Sequence, residues 1–414
     1  MIRAMATLHR LSNGLRAILV PCEAESVAFG LFVASGSRHE SARTAGISHF
    51  IEHMLFKGTP TRRPIDITRA IEGRGGNFNA CTGEESTCYY AHLPHEYLGE
   101  AVDILCDMYR NASMPADEFA REKQVVLEEI KMYADEPDAV AMENLQRALF
   151  PRNPLGAPVA GSAASLGPLT PSDLARYMRS HYLPSNTVAV VAGRFDEASA
   201  LKMLEQRLGE ARASRSRVTA CPVDFSLPPV AEISSVKDVH QSQLAIGYRT
   251  FGAGDPRRYA ASVMDAILGR GMSSRLFQEV REKRGLSYDI SSRMHFFSDA
   301  GMLTVTAGLD PEKLDIARRT IDREIARLCA KNVPAAELAR TKEFLVGNFR
   351  LSHERVTSKM FFYGSMLLAY GRIVEPGEQV AGIASVTPAD IRAVAQTVFA
   401  PENRSVSLVL PRTA

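Results

Sequence analysis

The segment LTPSDL, residues 169–174, recurs 217 residues later as VTPADI, residues 386–391. Thr-Pro-x-Asp is typical of a helix start, because threonine caps unpaired backbone N–H groups and proline fits the first turn. Each copy is followed by an apolar segment, residues 187–192 in the first and 405–410 in the second, which predicts a strand. The sequence therefore predicts two copies of one unit built from helices and strands.

A second pair of segments supports this duplication. EFAREK at residues 118–123 matches ELARTK at 337–342, an offset of 219 that small insertions explain. Residues 213–230 contain prolines and have no helical period, so we predict a domain at 1–212, a linker at 213–230 and a second domain at 231–414. Because no Rossmann glycine fingerprint accompanies the strands, we expect an α+β fold in which helices pack on a mostly antiparallel sheet in each domain.

The composition narrows the possible functions. The 414 residues are 45% hydrophobic, which is enough for large buried cores, and the net charge is +2 without a long charged run. We therefore expect neither a nucleic acid nor a membrane as a partner. The sequence has no uncharged apolar stretch of about 18 residues, so no transmembrane helix is predicted.

The N-terminal residues and the cysteines bear on the location of the protein. Residues 1–20 carry three arginines between their apolar pieces, which argues against a signal peptide and favours strands joined by a hairpin turn at Ser12-Asn13-Gly14. A short basic organelle-targeting segment is the alternative. Six dispersed cysteines without a CxxC pair are typical of reduced thiols, so we expect the protein in the bacterial cytoplasm.

The segment GISHFIEHMLF, residues 46–56, predicts a metal-binding helix. His49 and His53 are four residues apart, so both imidazoles lie on one helix face and can reach one ion. Glu52 stands beside them, and H-x-x-E-H is the inverted zincin motif. Neutral imidazoles leave Zn²⁺ a strong Lewis acid, and a nearby carboxylate can move the proton of the attacking water. The alternative is that these side chains lie on an ordinary solvated helix face.

A catalytic zinc site usually has three protein ligands, so a third ligand must come from another element. Residues 115–133 predict an amphipathic helix, in which Glu122 and Glu129 flank the apolar stripe while Glu128 faces water. Carboxylates directed at a core are costly unless a positive group meets them, and a zinc ion would be such a group. The alternative is that arginine or lysine side chains pair with these two carboxylates.

Three segments resemble the pitrilysin-type metallopeptidases, in particular the branch of mitochondrial-processing-peptidase-like and bacterial processing proteases. The segments are HFIEHMLFKGT at 49–59, GGNFNACTGEESTCYYA at 75–91 and VVLEEIKMYADEPD at 125–138. The resemblance covers essentially the whole chain and implies two homologous domains, the second a diverged copy without metal. In agreement, Asn348 stands opposite Glu129 in the second copy.

The resemblance also implies roles for single residues. Glu52 corresponds to the catalytic general base, and Glu122 corresponds to a second glutamate that supports the metal site. The implied ligands of one Zn²⁺ per chain are His49, His53 and Glu129.

Two further segments correspond to substrate-binding elements of the family. One is an edge strand that accepts the substrate backbone as an added strand. In this sequence it comprises Phe78, Asn79, Ala80, Cys81 and Thr82. The other is an Arg-x6-Tyr element, which gives Arg281 for a substrate carbonyl or carboxylate and Tyr288 for the tetrahedral oxyanion. Without the resemblance, the alternatives are an ordinary strand, a surface arginine and a packed tyrosine.

The implied function is that of a zinc metalloendopeptidase acting on short or unfolded peptides. Family members of this length resemble half of a clamshell, so the resemblance implies a homodimer with composite active sites enclosing a chamber. The rival interpretation is a non-catalytic peptide-binding or assembly subunit of a processing-peptidase-like complex. Such subunits typically lack part of the metal-binding set, which is complete in this sequence.

Overall fold

A computed structural model of the protein describes residues 6–210 and 218–412, which form two compact units with one β-sheet each. The first sheet has six strands: β1 Thr7–Arg10, β2 Arg16–Pro21, β3 Ser26–Val33, β4 Asn77–Thr82, β5 Thr87–Pro94 and β6 Thr187–Gly193. The second sheet has five: β7 Glu232–Lys237, β8 Ser242–Phe251, β9 Ser287–Phe296, β10 Ala300–Leu309 and β11 Arg404–Pro411.

Fourteen α-helices are found in the described part of the chain. The first eight are α1 Ile47–Leu55, α2 Pro64–Glu72, α3 Leu98–Asn111, α4 Ala116–Asp135, α5 Pro137–Leu149, α6 Ala163–Leu166, α7 Pro171–His181 and α8 Glu197–Leu204. The other six are α9 Arg258–Gly269, α10 Leu314–Ala330, α11 Ala335–Ser352, α12 Val356–Tyr370, α13 Pro376–Ser385 and α14 Pro388–Val398. Both Thr-Pro-x-Asp segments start helices as predicted, with Thr170 and Thr387 as N-caps.

Both sheets have the same strand order. The first runs β1-β2-β6-β3-β5-β4 and the second β7-β11-β8-β10-β9, so the second repeats the first without β1. Each sheet has one parallel pair, β2 with β6 in the first and β7 with β11 in the second. All other pairs are antiparallel. The predicted α+β fold with mostly antiparallel sheets is therefore confirmed.

One helix from each half of the sequence covers the sheet of the other half. The helix α5 follows α4 in the first half, but it packs on β8 and β11 of the second sheet. The helix α12 follows α11 and begins 219 residues after α5, and it packs on β3 and β6 of the first sheet. Each sheet thereby buries its second apolar face.

Glycine permits this close packing at one equivalent position in each sheet. A Cβ at Gly247 in β8 would lie 2.7 Å from a methyl carbon of Leu149 in α5. A Cβ at Gly30 in β3 would lie 2.7 Å from the sulfur of Met360 in α12. Gly30 and Gly247 are 217 residues apart, the offset found for the Thr-Pro-x-Asp helices.

The predicted domain boundaries must be amended for this exchange. Residues Lys131–Ala157 belong to the second unit and Arg350–Glu375 to the first. The reason is that an apolar sheet face needs a cover, and the repeat pattern did not indicate which helix provides it. In the predicted linker, residues 213–217 lie outside the described residues, and residues 218–230 form neither helix nor strand.

The helices and the N-terminal residues bear on two expectations, one about membrane-spanning helices and one about a signal peptide. No helix among the described residues combines the length and the apolar character needed to span a bilayer. Residues 1–5, on which the expectation about a signal peptide partly depends, lie outside the described range. The predicted turn at Ser12-Asn13-Gly14 joins the antiparallel strands β1 and β2, with Gly14 at φ +89°.

We predict that Leu145→Ala destabilises the second unit. Leu145 in α5 is fully buried and faces Gly247, so the cavity should lower the free energy of unfolding by about 2–5 kcal/mol. Thermal unfolding followed by circular dichroism measures the change. The control is Glu143→Ala on the exposed side of α5, with an expected change within about 0.5 kcal/mol. Equal unfolding temperatures for both variants would show that α5 does not bury its apolar face on this sheet.

Candidate metal centre

The start of α1 is held by a buried carboxylate. Glu40 is 5% exposed, and its two side-chain oxygens accept hydrogen bonds from the backbone N–H groups of Gly46 and Ser48, at 2.6 and 2.7 Å. Gly46 itself has φ +91°, a conformation that favours glycine. These bonds satisfy N–H groups that the first helical turn leaves unpaired, so they define where α1 begins.

Packing against α4 sets the direction of the α1 side chains. Phe50 in α1 and Phe119 in α4 have ring centroids 4.8 Å apart, and Val126 of α4 is fully buried in the same core. His49 and His53 therefore face the segment of α4 that follows Val126. Glu128 is exposed there, whereas Glu129 turns towards the histidines, as the helical pattern predicted.

Three side chains converge at this contact. Oε2 of Glu129 lies 3.7 Å from Nε2 of His49 and 3.4 Å from Nε2 of His53. The ligating atoms of the three residues all lie within 4.8 Å of one another, and no other such group of His, Cys, Asp and Glu occurs in the described part of the chain. Neighbouring ligand atoms of a tetrahedral zinc with bonds of about 2.1 Å are about 3.4 Å apart, so the spacing fits this ion.

The hydrogen bonds around the histidines also fit a cation. Nδ1 of His53 lies 3.1 Å from Oε2 of Glu122, so a neutral His53 that donates there turns a bare Nε2 towards Glu129. Burial lowers the pKa of His49, and the neighbouring His53 lowers it further, which favours the neutral ring that binds metals. The lone pair of His53 Nε2 then faces the Glu129 carboxylate, and Nε2 of His49 lies beside the same oxygen, an arrangement that a bound cation stabilises.

Glu52 lies beside this group and is tied to the edge strand. The hydroxyl of Thr82 donates a hydrogen bond of 2.5 Å to Oε2 of Glu52. Burial raises the pKa of the Glu52 carboxyl, while the hydrogen bond from Thr82 opposes the shift. A half-buried carboxylate with one oxygen occupied and a raised pKa is suited to accept and return a proton. Sequence reasoning placed Thr82 on the edge strand but missed its bond to Glu52.

The two inward carboxylates of α4 have different partners. Glu122 is 7% exposed and lies between His53 and Lys57, whose Nζ is 2.5 Å from its Oε1. Glu122 therefore pairs with a lysine, as the alternative interpretation of the sequence predicted. Glu129 instead meets the two histidines. Lys57 was missed in the sequence, although its position four residues after His53 places it one helical turn further on.

The strand β4 is an edge strand, paired only with β5 in the first sheet. Phe78, Ala80 and Thr82 are half-buried on the side of α1, whereas Asn79 and Cys81 alternate with them and are exposed. Among the described strands, none pairs with the outer side of β4, which lies beside Glu52. The backbone N–H of Ala80 donates to Oδ1 of Asn79 at 2.8 Å. That the segment 78–82 binds substrate stays a prediction.

The turn that follows β4 is fastened by residues that the sequence did not indicate. The backbone N–H groups of Ser37 and Arg38 donate hydrogen bonds to the carbonyl oxygens of Gly83 and Glu84, at 3.2 and 2.8 Å. The fully buried Arg38 also pairs with Glu85 at 2.6 Å. These contacts hold the end of β4, and with it Thr82, in a fixed position near Glu52.

Arg281 and Tyr288 lie in the second unit and adjoin each other there. Arg281 belongs to a π-helical turn, Phe277–Glu282, and its guanidinium carbon is 5.0 Å from the ring centroid of Tyr288. Tyr288 is 81% exposed on β9, an edge strand of the second sheet, so it is not the packed tyrosine of the alternative interpretation. Their roles towards a substrate stay predictions.

The corresponding helices of the second unit lack the metal-binding side chains. The helix α9, the counterpart of the His-bearing helix, contains no histidine. In α11, Thr341 and Asn348 occupy the positions that correspond to Glu122 and Glu129.

Comparison with known proteins also separates a part of the chain that contains the metal-binding residues from a part described as inactive. A family model described as Insulinase (Peptidase family M16) matches residues 18–163, which contain all the residues of the candidate metal centre. A second model, described as Peptidase M16 inactive domain, matches residues 168–345.

Relatives and solved structures match over the whole length. A Bacillus subtilis protein named uncharacterized zinc protease YmxG is 34% identical over 98% of this chain and 98% of its own. An uncharacterized zinc protease of Mycobacterium tuberculosis is 37% identical over 93% of this chain and 89% of its own. The crystal structure of a protease from Helicobacter pylori has the same fold, with a TM-score of 0.93 at 20% identity over 99% of this chain and 100% of the other. The chain therefore belongs to the pitrilysin-type metallopeptidase family, peptidase family M16.

Proposed function

We propose that this protein is a zinc metalloendopeptidase that hydrolyses internal bonds of short or unfolded peptides, with one zinc per chain. The observation that carries the proposal is the convergence of His49, His53 and Glu129 beside Glu52, which is itself bonded to the edge strand. A metal-ligand group, a proton carrier and an edge strand at one place are the parts that peptide hydrolysis requires. The names of the relatives, which are called zinc proteases, support the same reading.

Each residue of the site has a separate task in this reaction. When bound, zinc supplies a Lewis acid that polarises the peptide carbonyl and activates a water molecule. Glu52 takes a proton from the attacking water and passes it to the leaving amine. Because Oε2 of Glu52 accepts the hydrogen bond from Thr82, the proton moves through Oε1. Glu122 accepts a hydrogen bond from Nδ1–H of His53 and so keeps Nε2 directed at the metal position.

The strand edge provides the binding of the substrate. We propose that an extended peptide pairs with β4 along residues 78–82, because β4 is an edge strand and can accept another strand. The backbone N–H of Ala80 is bonded to Oδ1 of Asn79 at 2.8 Å, a local bond that a main-chain bond to an incoming peptide can replace. Main-chain pairing depends little on side chains, so many unfolded sequences are accepted. Folded proteins present few free strands and are excluded.

We further propose that the active site is completed by a second copy of the chain. Arg281 would hold a substrate carbonyl or carboxylate, and Tyr288 would donate a hydrogen bond to the tetrahedral oxyanion. Arg281 and Tyr288 adjoin each other at an exposed edge of the second unit, which supports the proposal that both contact the same ligand. In a homodimer with two-fold symmetry, each chain supplies this pair to the metal centre of its partner across an enclosed chamber.

The rival proposal is a non-catalytic peptide-binding or assembly subunit. The description of the second family model as an inactive domain fits the second unit, which lacks the histidines. The complete set of His49, Glu52, His53 and Glu129 in the first unit favours catalysis. A location in the bacterial cytoplasm stays a prediction from the dispersed cysteines.

We predict that Glu52→Gln keeps zinc and loses hydrolysis. Glutamine cannot accept and return the proton, so turnover of a quenched fluorogenic peptide should fall by about 10²–10⁴-fold. Zinc content is measured in parallel by plasma mass spectrometry and should remain near one ion per chain, since Glu52 is not a ligand in this account.

The matched control is Glu128→Gln, the same chemical change on the exposed side of α4. It should leave both turnover and zinc content unchanged, whereas Glu129→Gln should lose zinc. Full turnover of the Glu52→Gln variant would refute its role as the base. A wild-type protein that binds zinc and peptide without hydrolysing the peptide would favour the non-catalytic subunit.

We predict complementation between two inactive variants. Arg281→Ala and Glu52→Ala chains should each be inactive as homodimers, whereas a mixed dimer has one intact composite site. Random pairing of equal amounts gives half mixed dimers, so about a quarter of wild-type activity should return. Two affinity tags allow the mixed dimers to be isolated and assayed. Isolated mixed dimers without restored activity would contradict the composite site.

A further inference from the structure

Lys57, Glu122 and His53 form a chain of contacts behind the metal centre. Nζ of Lys57 is 2.5 Å from Oε1 of Glu122, and Oε2 of the same carboxylate is 3.1 Å from Nδ1 of His53. Within the described chain, Lys57 and His53 are the ionisable side chains that pair with Glu122. Because the carboxylate group is planar and rigid, the lysine that binds one oxygen also limits where the other can point.

We propose that Lys57 is a positioning residue of the metal centre, which acts on His53 through Glu122. This inference rests on the proposed zinc site. Lys57 holds the Glu122 carboxylate in the one orientation in which it accepts a hydrogen bond from Nδ1–H of His53. The Nε2 atom of His53 then stays directed at the metal position.

The charges around the site favour a cation at Glu122. Glu122 is 7% exposed, and Glu52 and Glu129 add two more carboxylates around the same histidines. A buried carboxylate without a cation is unfavourable, and its like-charged neighbours add to that cost. The side chain of Lys57 is only 25% exposed, so solvent screens its attraction to Glu122 incompletely.

The backbone around Lys57 is anchored, so its side chain has a defined direction. The N–H group of Lys57 donates to the carbonyl oxygen of Met54 at 3.1 Å, at the end of α1 where the helix dipole favours a cation. The next residue, Gly58, has φ +100°, and a Cβ there would lie 2.7 Å from the carbonyl oxygen of Arg62. The carbonyl oxygen of Gly58 accepts a hydrogen bond of 3.1 Å from the backbone N–H of Ser113, just before α4. The main chain next to Lys57 is therefore held near α4, where the lysine side chain reaches Glu122.

The counterpart of Glu122 in the second copy of the sequence supports a role of this carboxylate at the metal centre. Thr341 occupies the position that corresponds to Glu122, in a copy that also lacks the histidines. A carboxylate needed only to stabilise the fold would have a use in both copies, whereas one needed for the metal is dispensable in the second.

The test is a double-mutant cycle read out as zinc affinity, which does not depend on catalysis. Full-length wild type, Lys57→Met, Glu122→Gln and the double variant are stripped with a chelator and titrated with zinc against a chromophoric competitor. Thermal unfolding of each metal-free protein reports folding. The control is Lys283→Met, which removes another ion-paired lysine, at Glu279 on the surface of the second unit. If Lys57→Met does not fold, Lys57→Gln replaces it in the same double-mutant cycle.

We expect Lys57→Met to weaken zinc binding by about 10–100-fold, the usual effect of a lost outer-shell partner. In the Glu122→Gln background the same change should cost little, because the carboxylate through which Lys57 acts is gone. Lys283→Met should not alter zinc affinity. Unchanged affinity in Lys57→Met, or an equal loss in both backgrounds, would overturn the inference. A wild-type protein that binds no zinc would overturn the proposed function as well, so the two failures are distinguishable.

Discussion

The contact between α1 and α4 is the constraint on which the rest of the site depends. Phe50 and Phe119 pack with Val126 in one core, and this packing directs two histidines of one helix at a glutamate of the other. Neither helix carries a complete ligand set, so the metal centre exists only when both helices are docked. A bound ion would in turn strengthen the docking, because binding to the folded state alone stabilises that state.

Around this contact, further residues hold α1, the proton carrier Glu52 and the ligand His53 in place. Glu40 defines the start of α1, Thr82 holds Glu52, and Glu122 with Lys57 orients His53. The support comes from four different segments of the first unit. A small displacement of any of them changes the direction of a ligand or of the proton carrier, and sites of this kind tolerate little displacement.

Much of this arrangement could be predicted from the sequence, and the rest depends on long-range packing. Helix periodicity separated Glu128 from Glu129 correctly, because the apolar stripe of an amphipathic helix is a local property. The Thr-Pro-x-Asp starts and the following strands were confirmed for the same reason. The pairing of Arg38 with Glu85 and the capping by Glu40 link residues without a local pattern, so the sequence alone did not indicate them.

The exchange of α5 and α12 was missed for a related reason. A repeat shows which segments correspond, here Gly30 with Gly247, but not which copy of a helix covers which sheet. The two sheets have the same strand order, so the repeat pattern alone does not distinguish them as partners for a helix. Which sheet each helix covers depends on the path of the whole chain, which no local sequence pattern specifies.

The proposed function requires a zinc ion bound by two imidazoles and one carboxylate at the contact of α1 and α4. X-ray absorption spectroscopy at the zinc edge of the metal-loaded protein tests it most directly. We expect nitrogen and oxygen neighbours at about 2.0–2.2 Å, with the outer-shell scattering of two imidazole rings. A sulfur neighbour at about 2.3 Å, or fewer than two imidazole rings, would contradict it.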